Sequence, residues 1–324
     1  MRVNTVNGPV RPEELGRTLM HEHLLFGYPG YEGDRTMWRA DREAMLGNAI
    51  RAVETARAGG FSSLFEVTPN DCGRDPEFLQ EVAERTGFTI LCATGYYFEG
   101  DGAPAYLQFR SLFADVVSEL TELMVTELTE GVAGTGIRAG LIKLGTSEGV
   151  VTPYERKVIQ AAARAQQLTG APIITHTQAG TMGPEQARLL VEAGADPTRI
   201  VVGHMCGNAK DLDYQRATLA TGVGIGFDRI GLNRMFNDIT DADRMDTIVA
   251  LWAEGYGDRI FLSHDTVNNW LGRSAEGFHA LPGARHWRIN RIADDILPGL
   301  GERGLDEAAI DTMVAGNIAR LWAD

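Results

Sequence analysis

Short apolar runs alternate with longer amphipathic stretches along the whole chain. Runs rich in Val, Ile, Leu and Phe, bounded by Gly, Pro, Asn or Asp, predict strands at 18–26, 61–68, 88–95, 137–144, 171–177, 199–205, 222–228 and 259–265. The stretches between them predict helices at about 41–58, 75–86, 111–130, 153–169, 183–194, 210–220, 241–254 and 306–322. This alternation favours a single (β/α)8 TIM barrel, an α/β fold, over residues 1–324. An open doubly wound sheet would need a Gly-rich phosphate turn after an early strand, and the sequence has none.

Five of the predicted strands place metal-binding residue types at their C-terminal ends. These residues are His21, His23, Lys143, His176, His204 and Asp265. His21 and His23 are two positions apart, so on a strand their side chains face the same way. Lys143 and His176 are 33 positions apart, and His176 and His204 are 28 apart, so each separation matches one βα unit. His204 and Asp265 are 61 positions apart, which matches two units. Because the C-terminal ends of barrel strands meet at one rim, we expect these residues to surround one point.

Lys143 lies inside the apolar run 140–145, although the chain has only three lysines among thirty basic residues. A buried ammonium group without a partner is disfavoured, and its pKa falls. Three interpretations are open: a structural ion pair, a Schiff-base lysine, or an amine that has captured carbon dioxide. The resulting carbamate would offer two oxygens to bridge two divalent ions. The surrounding histidines favour this third interpretation, because a Schiff-base enzyme needs no such set.

The donor set predicts a binuclear metal hydrolase. Neutral imidazoles and carboxylates suit two zinc ions, and Co²⁺, Mn²⁺ or iron fit the same donors. With two metals about 3.5–4 Å apart, one bridging hydroxide can act as the nucleophile. Asp265 could bind a metal and also accept the proton of the attacking hydroxide. His264 faces the other side of its strand, so we expect it to be structural or to support the ligands.

Composition excludes several other classes. The formal net charge is -14, and without a basic face we expect no nucleic-acid partner. No apolar run approaches about 18 residues, so we expect no membrane span. Residues 1–16 lack the apolar segment of a signal peptide. The three cysteines are widely spaced and predict no disulfide framework. A cytoplasmic protein acting on a small molecule is the simplest interpretation.

As a set, the motifs resemble the phosphotriesterase branch of the amidohydrolase superfamily, and within it the phosphotriesterase-like lactonases. The resemblance covers essentially the whole chain. It rests on His21-Glu22-His23, the Lys143 segment, Thr175-His176-Thr177, Gly203-His204 and Ser263-His264-Asp265. Supporting stretches lie at 26–30, 68–74, 93–97 and 227–232.

The resemblance implies roles for these residues. One metal would be held by His21, His23 and Asp265, and the second by His176 and His204. Carboxylated Lys143 and a hydroxide would bridge the two. A homodimer is also implied.

Two further residues gain a role only from the resemblance. Tyr97 matches a tyrosine that lies close to the metals and contacts the substrate carbonyl or the hydroxide. Arg229 matches an arginine that shapes the pocket after the seventh barrel strand. Without the resemblance, Tyr97 would be interpreted as packing and Arg229 as part of a loop salt bridge. Phe26, Tyr28 and Trp270 are expected to form apolar walls at the rim.

Three positions depart from the expected family pattern. Glu66 stands where an aspartate is usual, Cys206 replaces an aspartate after the last metal histidine, and Ile318 replaces a proline near the C-terminus. None is a predicted ligand. We expect the change at Cys206 to loosen the orientation of His204, since supporting contacts affect metal affinity.

The sequence therefore predicts a metal-dependent lactonase that opens lactone rings, with a promiscuous phosphotriesterase activity. The first alternative is an enzyme whose main substrates are phosphotriesters. A Schiff-base lyase using Lys143 and a non-catalytic metal-binding barrel are more distant alternatives. Metal analysis and borohydride trapping separate the lyase from the hydrolases.

Overall fold

The computed structural model describes residues 1–102 and 105–323 and contains eight parallel strands around a common axis. An antiparallel hairpin, β1 (Val3–Thr5) and β2 (Gly8–Val10), precedes them. The barrel strands are β3 (Thr18–Glu22), β4 (Ser63–Glu66), β5 (Thr89–Tyr96), β6 (Leu141–Thr146), β7 (Ile173–Thr177), β8 (Ile200–Val202), β9 (Gly224–Phe227) and β10 (Ile260–Leu262). Each pairs with the next in chain order, which confirms the predicted (β/α)8 barrel.

The first and last barrel strands meet just beyond their C-terminal ends. The Asp265 N–H donates to the His21 carbonyl at 3.0 Å, and the His23 N–H donates to the Thr266 carbonyl at 2.8 Å. These bonds close the ring at the rim where the predicted ligands lie. His21, His23 and Asp265 are therefore placed by the closure of the barrel itself.

Helices surround the strands. They are α1 (Arg42–Ala58), α2 (Pro76–Thr86), α3 (Ala105–Arg110), α4 (Val116–Thr129), α5 (Pro153–Thr169), α6 (Gly183–Glu192), α7 (Leu212–Leu219), α8 (Asp241–Ala253), α9 (Glu276–His279), α10 (Leu297–Glu302), α11 (Glu307–Asp311) and α12 (Asn317–Arg320). One-turn π-helical segments precede α10 and α12. Side-chain N-caps begin several of them; Asp41 and Asp75 accept from backbone N–H groups, and Thr152 forms a capping box. Among the described residues, no helix has the length and apolar character to cross a membrane.

The observed elements differ from the predicted ones mainly at their ends. The strands predicted at 18–26, 199–205 and 259–265 are shorter, because their last residues turn into the rim instead of continuing the sheet. The predicted helix 306–322 is broken by a π-helical turn. The hairpin and helices α3, α9 and α10 were not predicted. The sequence also predicts a long loop at 95–110, and its residues 103 and 104, together with residue 324, lie outside the described residues.

The barrel interior is apolar at the end opposite the predicted ligands. Side chains from seven barrel strands and the C-terminal segment form one buried cluster, which includes Phe65, Leu91, Ile174, Val201, Phe261 and Trp322. The Trp322 ring meets the Phe65 ring edge-on at 5.7 Å. Ile318 belongs to this cluster and is 1% exposed, so the departure at this position is accommodated as core packing. The predicted ligands lie at the other end of the barrel.

Candidate metal centre

The Asp265 carboxylate lies among three of the predicted histidine ligands. Its Oδ1 is 3.2 Å from His23 Nε2 and 3.5 Å from His21 Nε2. Its Oδ2 is 3.7 Å from His204 Nε2. His21, His23 and Asp265 form a group whose ligand atoms are close enough to share one ion.

Lys143 and His176 complete the cluster on its other side. The Lys143 amine lies 2.7 Å from His21 Nε2, and His176 Nδ1 lies 2.9 Å from His204 Nε2. Lys143 and His176 are each 1% exposed. All six residues predicted as ligands are thus brought together at one rim.

Backbone conformation contributes to this convergence. His204 and Asp265 adopt left-handed conformations, with φ of 61° and 58°. Residues other than glycine rarely adopt such φ values, and the residues that do are concentrated at functional sites. Both residues lie just beyond the ends of their strands, β8 and β10, where the backbone turns the side chain into the barrel mouth.

Hydrogen bonds on the far side of the rings fix which ring nitrogen faces the centre. Asp228 accepts from His21 Nδ1 at 2.8 Å and from His204 Nδ1 at 3.0 Å. His23 Nδ1 donates to Thr68 Oγ1 at 2.6 Å, and that hydroxyl lies 2.7 Å from Glu66 Oε1. The Nε2 lone pairs of these three histidines therefore point inward.

His176 is oriented in the opposite sense. Its Nε2 donates to Gln178 Oε1 at 2.8 Å, so its Nδ1 lone pair faces the His204 Nε2 lone pair only 2.9 Å away. At this distance the two lone pairs repel each other unless a cation lies beside them. Four inward lone pairs, a carboxylate and an amine are a donor set that fits divalent metal ions.

Burial keeps the donors in the protonation state that metals require. Burial lowers the pKa of His204 to about 3 and that of His176 well below its usual value, so both rings are neutral. Burial alone would raise the pKa of Asp265, but the hydrogen bond with His23 and the charge of Arg229 hold it well below the usual range. Burial also lowers the pKa of Lys143 to about 8, which leaves a share of uncharged amine near neutral pH.

Asp228 is the main residue that sequence reasoning missed. It follows β9, the one barrel strand between His204 and Asp265 that supplied no predicted ligand, and it is fully buried. It also accepts from the His204 backbone N–H at 2.7 Å. Asp228 accepts from His204 Nδ1, whereas Cys206 accepts from the Arg229 N–H at 3.3 Å, so the expected loosening of His204 by the change at Cys206 stays a prediction.

Tyr97 and Arg229 both lie beside the cluster. The Tyr97 hydroxyl is 3.3 Å from His176 Nδ1, and burial raises its pKa well above the usual value, so it stays protonated. Arg229 Nε donates to Asp265 Oδ2 at 3.0 Å. A neutral hydroxyl donor and a guanidinium therefore approach the donor set from the solvent side.

An aromatic wall covers the same side. The Phe26 ring meets the rings of His23, Tyr28 and Trp270 edge-on at 5.1, 5.1 and 5.8 Å. Tyr28 stacks on Trp270 at 6.2 Å and is 49% exposed, so it lies at the outer edge. The predicted wall residues thus line an apolar approach to the polar centre.

His264 supports the centre from behind, in keeping with the role expected for it. Its Nδ1 donates to Glu22 at 2.7 Å, and its Nε2 accepts from the Ile292 N–H at 3.0 Å. Glu22 also accepts from Ser263 and from the Thr266 N–H. This buried pair ties β3 to the segment that carries Asp265.

A buried imidazole, carboxylate and amine set at the mouth of a parallel barrel, under an aromatic wall, defines a metal-dependent hydrolase. Comparison with known proteins gives the family. A profile of the Phosphotriesterase family matches residues 1–322, and the chain belongs to that family.

Relatives of known structure or activity agree. The chain is 33% identical over 316 residues to the aryldialkylphosphatase of Saccharolobus solfataricus, a match that covers 97% of each protein. The structure of organophosphorus hydrolase from Deinococcus radiodurans superposes with a TM-score of 0.97 at 52% identity and covers 100% of this chain and 97% of the other. A mutant of a phosphotriesterase-like lactonase from the same organism has a TM-score of 0.96 at 51% identity, covering 99% and 100%. These neighbours confirm the barrel, and with the family they support a metal-dependent hydrolase.

Proposed function

We propose that this protein is a metal-dependent lactonase with a secondary phosphotriesterase activity. The observation that carries the proposal is the convergence of four inward imidazole lone pairs, Lys143 and Asp265 beneath a neutral Tyr97 hydroxyl. The name of a structural neighbour, a phosphotriesterase-like lactonase, supports the choice of lactones.

The ligand assignment follows the two halves of the cluster. His21, His23 and Asp265 would hold one metal, and His176 with His204 would hold the other. Lys143 would bridge them as its carbamate, formed when the uncharged amine attacks carbon dioxide and loses a proton. Zinc is the first choice for such donors, and cobalt, manganese or iron also fit them. When bound, the metals would polarise the substrate carbonyl and lower the pKa of an attacking water.

The residues of this chain then have distinct tasks. The Tyr97 hydroxyl is placed to donate a hydrogen bond to the lactone carbonyl oxygen, where negative charge develops as water adds to the carbon. Asp265 accepts the proton that the water loses. As the bond from the carbonyl carbon to the ring oxygen breaks, Asp265 returns that proton to the ring oxygen. The product is a hydroxy acid. Arg229, through its bond to Asp265 Oδ2, orients this carboxylate.

The pocket wall matches a substrate with an apolar part. Phe26, Tyr28 and Trp270 form a continuous set of ring contacts leading outward from His23. The Trp270 Nε1 is buried and has no hydrogen-bond partner among the described residues. A lactone with an acyl substituent could occupy the wall and offer an acceptor to that N–H.

A substrate panel tests the proposal. We expect kcat/KM for a γ-, δ- or acyl-homoserine lactone to exceed that for paraoxon-type esters, on protein whose metal content has been measured. Chelation should abolish turnover, and added metal should restore it. A preference for paraoxon over every lactone would reverse the order of substrates and support the alternative, a primary organophosphate hydrolase.

The phosphotriester alternative is supported by the names of relatives, an aryldialkylphosphatase and an organophosphorus hydrolase. A Schiff-base lyase using Lys143 is the distant alternative, and borohydride trapping with a carbonyl substrate would reveal it. The cytoplasmic location, the homodimer and the lack of a nucleic-acid partner stay predictions. Light scattering in solution would test the dimer.

A further inference from the structure

Carboxylates from two neighbouring elements hold the segment 97–102 at alternate backbone amides. Both oxygens of Asp71 accept from the Tyr97 N–H, at 3.1 and 3.3 Å. Oε1 of Glu155, at the start of α5, accepts from the Glu99 N–H at 3.1 Å. The tyrosine that reaches the metal centre thus begins a segment anchored at two points.

Close packing keeps Asp71 against this segment. The Gly102 N–H donates to the Phe98 carbonyl at 2.9 Å, which folds the segment back on itself. A Cβ on Gly102 would lie 2.7 Å from Asp71 Oδ2 and 2.9 Å from Tyr97 Cβ. Only glycine fits there without displacing one of them. The carboxylate is therefore enclosed between the start and the end of the same turn.

Asp71 has no hydrogen bond to any predicted metal ligand. It is connected to the metal centre only through its hydrogen bonds with the Tyr97 backbone N–H. We propose that Asp71 is a positioning residue that holds the Tyr97 hydroxyl beside His176 by accepting the Tyr97 backbone N–H. This inference rests on the proposed function, in which the Tyr97 hydroxyl contacts the substrate. Displacements of about 1 Å at a reacting centre are enough to slow catalysis strongly.

The surroundings of Asp71 make this anchor sensitive to pH. The titratable groups that interact with it are Cys72 on its own loop, Tyr96 on β5 and Tyr154 on α5. None of these groups is a cation, and burial raises the pKa of Asp71 to about 6. The carboxylate is ionised at pH 8 and becomes protonated as the pH falls through about 6. The anchor on Tyr97 therefore weakens in the acid range.

A double-mutant cycle tests whether Asp71 acts through Tyr97. We expect Asp71→Ala and Tyr97→Phe each to lower kcat for the best lactone, on the order of tenfold. In the Tyr97→Phe background, Asp71→Ala should change kcat by less than about twofold, because the group it positions is already gone. Effects that multiply independently would overturn the inference.

The matched control is Asp75→Ala. Asp75 lies on the same loop and accepts from the Phe78 N–H at 2.9 Å, but it caps α2 and does not accept from the Tyr97 N–H. Its effect on kcat should be small and the same with tyrosine or phenylalanine at position 97. A coupling as large as that of Asp71 would show general loosening of the loop and would also overturn the inference.

Hydrogen exchange at the Tyr97 amide gives a readout that does not depend on activity. Asp71→Ala should speed exchange at this amide most, whereas Asp71→Asn keeps one neutral oxygen acceptor and should give intermediate protection, close to that of the unmodified protein at pH 5. In the unmodified protein, protection should fall as pH drops from 8 to 5, relative to reference amides, and Asp71→Asn should remove that pH dependence. Unchanged exchange in Asp71→Ala refutes the anchor. If exchange responds but Tyr97→Phe leaves kcat unchanged, the proposed role of Tyr97 fails instead.

Discussion

Asp228 is expected to control metal affinity through two histidines at once. Its two oxygens accept from Nδ1 of His21 and Nδ1 of His204, one ring from each half of the cluster. Asp228→Asn keeps the shape but leaves one oxygen acceptor and one NH₂ donor. One imidazole N–H then faces another donor, so that ring must rotate or change tautomer. Its lone pair no longer points inward.

The magnitude follows from the bonds lost. A hydrogen bond to a charged group contributes about 1.5–3 kcal/mol, and loss of a contact that orients a ligand weakens metal binding roughly 10–100-fold. We expect Asp228→Asn to lower metal affinity by about that factor and to lower activity at limiting metal. The assay is competition with a chromogenic chelator, followed by metal analysis of the protein.

Asp241→Asn is the control for this experiment. Asp241 is also a buried aspartate after β9, but it accepts from the Gly231 N–H and pairs with Arg244 and Arg291. Its replacement should lower the melting temperature and leave metal affinity unchanged in the folded protein. If Asp228→Asn bound metal as tightly as the unmodified protein, or if both variants lost metal equally, the assignment of Asp228 as the orienting group would be refuted.

Three further predictions concern single positions. Burial raises the pKa of Asp71 from 3.8 to about 6, so its ionised form destabilises the fold above pH 6 by on the order of 1–3 kcal/mol. Asp71→Asn should therefore raise the melting temperature at pH 8 and not at pH 4. An equal rise at both pH values would contradict this prediction. Metal-free protein should regain activity faster with zinc plus bicarbonate than with zinc alone, and Lys143→Ala should bind less metal and show no bicarbonate effect; an identical response would exclude the carbamate. Gly95→Ala would place a Cβ 1.9 Å from the Lys143 carbonyl and should unfold the protein in thermal melts, whereas Gly149→Ala, with open space around it, should cost only about 1–2 kcal/mol.

The barrel and the six clustered residues could be predicted because both depend on patterns that survive in a single sequence. Each ligand follows an apolar run, and a parallel barrel brings the ends of such runs to one rim. The spacing between Lys143, His176, His204 and Asp265 in units of one βα repeat then fixes their convergence. Neither step requires knowledge of side-chain packing.

Element ends could not be predicted in the same way. The apolar pattern predicts strands that extend to His204 and Asp265, but the backbone has a positive φ at both residues. Such a turn is stabilised by contacts made after folding, for example the bond from the His204 N–H to Asp228. The hairpin of β1 and β2 was not predicted for another reason, because three residues per strand are too few to show periodicity.

Asp228 shows where reasoning from sequence stops. Asp228 follows β9, the strand between His204 and Asp265 that has no predicted ligand, so its place at the rim could be predicted. Its function could not, because it depends on the space that two neighbouring glycines leave for its carboxylate. A Cβ at Gly203 would lie 3.0 Å from Asp228 Oδ2, and one at Gly226 would lie 2.7 Å from it. With larger residues at these two positions, the carboxylate could not sit between the rings of His21 and His204. A buried aspartate beside two such glycines is therefore a feature to look for when a barrel strand appears to contribute no ligand.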